Sequence, residues 1–231
     1  MLLECNGLVK KYMSKTAIDN LSLNIERGRI YALLGPNGSG KTTLMKIAAG
    51  LVKPNSGRIA FCGYPIGVES KKRVAYMSTE PFFYQFMTIN DVGKYYEDFF
   101  EDFDNNKYDD LLERMELDKK TNVKTLSSGL AAKLKIAATL ARKSELYMLD
   151  EPLNGVDILS RDVIINLITR SCGENKSIVV STHLVSEIEK ILDSLIFLKD
   201  GTIALAGDAE ELRMSRCTSV EGIYKEVFGN D

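Results

Sequence analysis

No C-x-x-C pair occurs among the four cysteines, Cys5, Cys62, Cys172 and Cys217, which lie far apart in a chain of 231 residues. That spacing excludes a zinc ribbon and a disulfide framework, and the thiols read as small reduced hydrophobes of a cytosolic protein. Charge of one sign is lacking too: 30 Lys and Arg stand against 32 Asp and Glu, a formal net charge of −2. Such a balance gives no bulk attraction to polyanions, so no nucleic acid is expected as a partner. No uncharged apolar run approaches the ~20 residues needed to cross a bilayer. The opening residues, Met1-Leu2-Leu3-Glu4-Cys5-Asn6, place no charged leader ahead of an apolar stretch, so no signal peptide is expected. Internal repeats and low-complexity segments are missing as well. What is there is 45% hydrophobic and long enough to bury a core, and it reads as one domain over residues 1–231.

The most informative stretch is Gly35-Pro36-Asn37-Gly38-Ser39-Gly40-Lys41-Thr42-Thr43, directly after the apolar run Ile30-Tyr31-Ala32-Leu33-Leu34. A buried strand delivers the chain into a glycine-rich turn, and a helix is expected to leave it from near Ser39 or Lys41. Glycine tolerates positive φ and has no Cβ, so successive backbone N–H groups can turn inward around an anion. The helix N-terminus adds unsatisfied donors and partial positive charge. Lys41 is placed to reach β- and γ-phosphates, and the Thr42 hydroxyl to ligate Mg²⁺. Every constrained position of G-x-x-x-x-G-K-[ST] is filled, and the stretch predicts binding of a nucleoside triphosphate.

Residues 2–12 and 18–26 read as a hairpin-like β layer, and 59–62, 74–77, 146–149, 177–181 and 195–198 as further strands. From about 85 to 145 the pattern turns helical and poor in Gly and Pro, which predicts a helical subdomain inserted into the core. Residues 160–169 carry apolar positions at helical spacing. Strands alternating with helices imply a largely parallel sheet, with ligands bound at the carboxyl ends of its strands. The run Leu146-Tyr147-Met148-Leu149 ends in Asp150-Glu151. Asp150 is placed to hold Mg²⁺ directly or through water, and Glu151 to polarise a water in line with the γ-phosphate.

Together with these motifs, Leu126-Ser127-Ser128-Gly129-Leu130, Asn154-Gly155-Val156-Asp157 and the single histidine, His183, make the whole chain resemble the ATP-binding subunit of an ABC (ATP-binding cassette) transporter. The resemblance implies an α/β P-loop ATPase core with a mostly parallel sheet, an N-terminal antiparallel β layer and an inserted helical subdomain. It implies ATP and Mg²⁺ as cofactors and catalysis by Glu151, His183 and Lys41. Ser127 and Gly129 match the signature loop, which in this family caps ATP held by the phosphate loop of another subunit; the same residues also read as a plain N-cap before a helix beginning near Ala131. Residues 154–157 match the loop that crosses the dimer interface, and His183 matches the switch histidine on the γ-phosphate. Tyr12 matches the aromatic that stacks on adenine, and also reads as a strand-end tyrosine.

Three positions depart from the family pattern. Thr79 stands where glutamine normally approaches Mg²⁺ and links nucleotide state to the helical subdomain, so a contact to the metal through water is the reading for Thr79. Ser128 replaces a usual glycine and Leu130 a usual glutamine. Aromatics at 82–86 and 95–100 read either as helix packing or as a groove for a short helix of a membrane subunit. The expected partners are a separate transmembrane permease and a second ATP-binding subunit, identical or paralogous. The expected place is cytoplasmic, peripheral on the inner face of the membrane, with export as the direction. With a short tail after Leu198, no sizeable regulatory domain is expected. The alternative is a weakly active regulatory or non-transport ABC ATPase.

Overall fold

The computed structural model describes residues 1–229. Strand β1 (Leu3–Tyr12) pairs antiparallel with β2 (Lys15–Ile25), and β3 (Ile30–Leu34) runs into the glycine-rich turn. Helix α1 (Lys41–Ala48) follows, then β4 (Ser56–Phe61), β5 (Tyr64–Pro65), α2 (Val68–Arg73) and β6 (Val74–Met77). Helices α3 (Ile89–Phe99), α4 (Asn105–Arg114) and α5 (Ser128–Leu140) come next. The chain continues through β7 (Leu146–Asp150), α6 (Ile158–Ser171), β8 (Ser177–Thr182), α7 (Val185–Ile188), β9 (Ser194–Lys199) and β10 (Thr202–Asp208), ending in α8 (Ala209–Arg216) and α9 (Val220–Phe228).

Two sheets result, one ordered β2-β1-β4-β5 and antiparallel, the other β10-β9-β3-β8-β7-β6. In the second, every pairing is parallel except that of β10 with β9. All residues of β3, β7 and β8 are buried, as a parallel sheet covered on both faces requires. One apolar cluster joins this sheet to α3, α4 and α5 (Ala32, Tyr96, Leu111, Ile136, Tyr147); the other joins it to the antiparallel layer and α1 (Leu8, Ile18, Leu33, Met45, Met148). The α/β class, the parallel core and the antiparallel N-terminal layer agree with the sequence expectation. No helix among the described residues is long and apolar enough to cross a membrane.

Two boundaries differ. The helix expected near Ala131 starts at Ser128, because the Ser127 hydroxyl caps it by accepting from the Leu130 N–H at 3.3 Å. The helix read over 160–169 starts at Ile158, where Asp157 accepts from the Ser160 N–H at 2.9 Å. Both are cap effects: a short polar side chain satisfies orphan N–H groups and extends the helix two or three residues back into positions without apolar periodicity.

Candidate functional site

The carboxyl ends of β3, β7 and β8 open into one cavity of about 500 Å³. Gly40 caps α1 in left-handed backbone at φ +111°, and a Cβ there would lie 2.4 Å from the Ala17 carbonyl oxygen. Only glycine fits. Asn37, Gly38, Gly40, Lys41, Thr42 and Thr43 line the cavity wall, whereas Gly35 and Ser39, both buried, and the exposed Pro36 do not. Those three therefore shape the loop rather than border the space. Lys41 is buried, and its Nζ donates to the carbonyl oxygens of Gly35 at 2.7 Å and Pro36 at 3.1 Å, steadying the turn from within. Burial lowers its pKa, while the carboxylates of Glu151 and Asp150 pull the other way.

Asp150 ends β7 almost fully buried. The Thr42 hydroxyl donates to its Oδ2 at 2.8 Å, the Tyr76 hydroxyl to the same atom at 3.3 Å, and the Ser181 hydroxyl to Oδ1. The Tyr76 phenol is held above its ordinary pKa, first by burial and then by the Asp150 charge. Asp150 and Thr42 are hard oxygen donors beside a phosphate loop, and among the described residues no cluster of three or more acidic, His or Cys side chains makes a cage. Mg²⁺ suits such a place, since it is usually held by one or two protein oxygens with phosphates and water.

Glu151 follows in left-handed backbone, φ +50°, rare for a residue with a side chain. Its N–H donates to the Ser181 carbonyl and hydroxyl oxygens, each at 3.1 Å, which holds it in that conformation. The Glu151 Oε2 lies 2.9 Å from Nδ1 of His183, half-exposed just past β8. Glu151, His183, Thr79 and Tyr12 all border the cavity with the phosphate loop. Tyr12 ends β1 with its ring partly exposed and Lys10 Nζ 5.0 Å from the ring centre.

Ser127 and Gly129 are not brought to this cavity. They open α5 against residues 154–157, where a Cβ on Gly129 would lie 2.8 Å from the Gly155 carbonyl oxygen. A second cavity of about 500 Å³ is lined by residues of α5 and of 77–85 and reaches Asp150 and Glu151. Lys15 and Asn154 border the nucleotide-sized cavity without having been read as site residues. Lys15 could have been found from the hairpin register, since it pairs across from Tyr12. Asn154 stands out in the sequence only as the first residue of the 154–157 loop.

The family model for ABC transporters matches residues 18–154. An ABC transporter ATP-binding protein of Bacillus subtilis, YcbN, is 34% identical over 95% of this chain and 74% of its own length. The lantibiotic transport ATP-binding protein SrtF of Streptococcus pyogenes is 33% identical over 88% of this chain and 90% of its own. A solved ATP-binding subunit of an ABC transporter superimposes with a TM-score of 0.88 at 25% identity, covering 98% of this chain and 99% of that one.

Proposed function

The chain belongs to the ABC transporter family as an ATP-binding subunit with ATPase activity, and from that premise we propose that it drives export through a separate membrane permease. Two copies, or one copy and a paralogue, close around ATP. The observation that carries this reading is the convergence of the phosphate loop, the Thr42–Asp150 contact and the Glu151–His183 contact on one cavity, while Ser127 and Gly129 open elsewhere. Residues that the family pattern assigns to nucleotide but that do not reach their own cavity are available to a neighbour's.

Phosphoryl transfer to water is mostly positioning and charge neutralisation. Backbone amides of 38–43 and Lys41 take up phosphate charge, and Tyr12 stacks on the adenine. Glu151 orients the attacking water and accepts its proton, with its carboxylate fixed by the strained backbone and by His183. His183 in turn faces the γ-phosphate. Thr42 and Asp150 would hold Mg²⁺, with Thr79 joining through water, and the bound ion would supply neutralisation of phosphate charge.

The relative SrtF is named for lantibiotic transport, which supports a transport role. So does the exposed aromatic surface at the start of the helical stretch. Tyr84 stacks on Phe86 at 5.4 Å, Tyr95 packs on Phe99 at 4.6 Å, and Phe86 and Phe99 stay largely exposed beside Glu97 and Asp98. Aromatics next to acids suit a basic amphipathic helix of the permease, which would hold the subunit at the inner face of the membrane. Thr79 and Ser128 favour a second reading, a slow regulatory cassette.

The test is Mg²⁺-dependent ATP hydrolysis by the purified chain, together with detergent extraction of tagged chain from membranes and identification of any polytopic membrane protein that comes with it. Lys41→Ala should lower ATP hydrolysis at least about 100-fold, and chelating Mg²⁺ should abolish it. Co-purification of the membrane protein supports transport. Hydrolysis without any such partner would favour a non-transport ABC ATPase, and very slow hydrolysis the regulatory reading.

A further inference from the structure

The buried side of α5 is built of Ala132, Leu134, Ile136, Ala137, Ala138 and Leu140, but Lys135 lies among them, only 9% exposed. Its Nζ donates to three consecutive carbonyl oxygens, Ser78 at 3.1 Å, Thr79 at 2.8 Å and Glu80 at 2.8 Å. An ammonium has three N–H donors, so all of them are engaged by one short piece of backbone. The Phe82 ring, 5.5 Å from the same nitrogen, covers the charge. Packing alone does not call for a cation here. Methionine would fill the stem's volume without the cost of desolvating a charge.

The segment it grips stands between the two cavities, with Thr79 bordering both. On the other side, Glu80 Oε1 lies 3.0 Å from Lys46 Nζ in α1, the helix that grows from the phosphate loop. Residues 78–80 are thus tied to α1 by one lysine and to α5 by another. At its N-terminus α5 carries the 127–129 loop. The Thr79 hydroxyl is on a short side chain, and the contact to α5 runs through its carbonyl instead.

We propose that Lys135 is a positioning residue for hydrolysis, fastening residues 78–80 to α5 so that nucleotide binding at the phosphate loop is carried to the 127–129 loop. This rests on the ATPase reading above. Lys135→Met removes the ammonium and keeps the stem. Lys135→Arg keeps a cation, and Lys135 borders the cavity beside α5.

The experiment combines steady-state ATPase kinetics with hydrogen exchange of the full chain, with and without ATP. Lys135→Met should lower kcat about ten-fold with KM for ATP within about two-fold, and Lys135→Arg should restore about half of the loss. In wild type and Lys135→Arg, ATP should alter exchange at both 35–43 and 127–140; in Lys135→Met the change at 127–140 should vanish while that at 35–43 stays. Wild-type kcat in Lys135→Met, or an undiminished change at 127–140, overturns the proposal. Should the Met variant not fold, wild type decides alone: an ATP response at 35–43 with none at 127–140 overturns it. No response at 35–43 in wild type overturns the parent reading and this one with it.

Discussion

Glu151 holds its carboxylate by means a sequence does not display. Left-handed backbone at φ +50° costs a non-glycine residue on the order of 1 kcal/mol or more, and two hydrogen bonds from its N–H to Ser181 offset that cost. The conformation turns the chain sharply after β7, so Asp150 faces Thr42 and Ser181 while Glu151 faces His183. Two neighbouring carboxylates thereby have different surroundings and, in our reading, different work. Glu151→Gln keeps shape and most hydrogen bonding but cannot accept a proton. ATP binding, followed with a fluorescent analogue, should stay within about three-fold of wild type, while hydrolysis falls at least about 100-fold. Hydrolysis at the wild-type rate in Glu151→Gln would mean that another group activates the water.

At the scale of elements, the start of β7 is clamped by charge. Glu145 accepts from Arg27 Nη1 at 2.6 Å and from Arg73 Nε, joining the turn before β3 to the end of α2. Arg73, most of all, holds the Glu145 carboxyl below its ordinary pKa of 4.5, burial opposes this, and Arg27 adds to it. A carboxylate with a depressed folded pKa stabilises the fold above its unfolded pKa and loses that contribution as pH falls through the folded value. Glu145→Gln should therefore lower stability by about 1 kcal/mol in urea melts from pH 8 down to about 5, and the gap should close in more acid solution. A gap independent of pH would mean that shape, not charge, is what Glu145 contributes. Elements such as β3, β7 and β8 were legible because burial on both faces leaves unbroken apolar runs such as Ile30–Leu34. The helix starts at Ser128 and Ile158 were less so, since capping hydroxyls and carboxylates override periodicity. The Lys135 clamp was not legible at all: a lysine at a helical position reads as solvated until tertiary structure buries it against residues 78–80.

For the whole molecule the decisive fact is a mismatch of place. The phosphate loop, Asp150, Glu151 and His183 share one cavity, whereas Ser127 and Gly129 stand at the tip of α5 against residues 154–157. The short polar cap of α5 presents N–H donors and a partial positive charge, a natural counterpart for a γ-phosphate held by another copy. On our reading of the site as split between two copies, association should depend on ATP, since the triphosphate would supply the anion that both halves grip. Stopping hydrolysis should accumulate the closed state. Light scattering of Glu151→Gln should thus give a dimer with ATP and a monomer with ADP, and adding Ser127→Arg should return the ATP sample to monomer by placing bulk and charge at the shared contact. Arginine at 127 also removes the cap, which costs α5 about 1 kcal/mol, so Ser127→Ala serves as the control for helix stability alone. A dimer that persists in Ser127→Arg would place the interface on another face. Monomer with ATP in Glu151→Gln would point instead to a paralogous partner, and mixing with that subunit should then restore the ATP-dependent dimer.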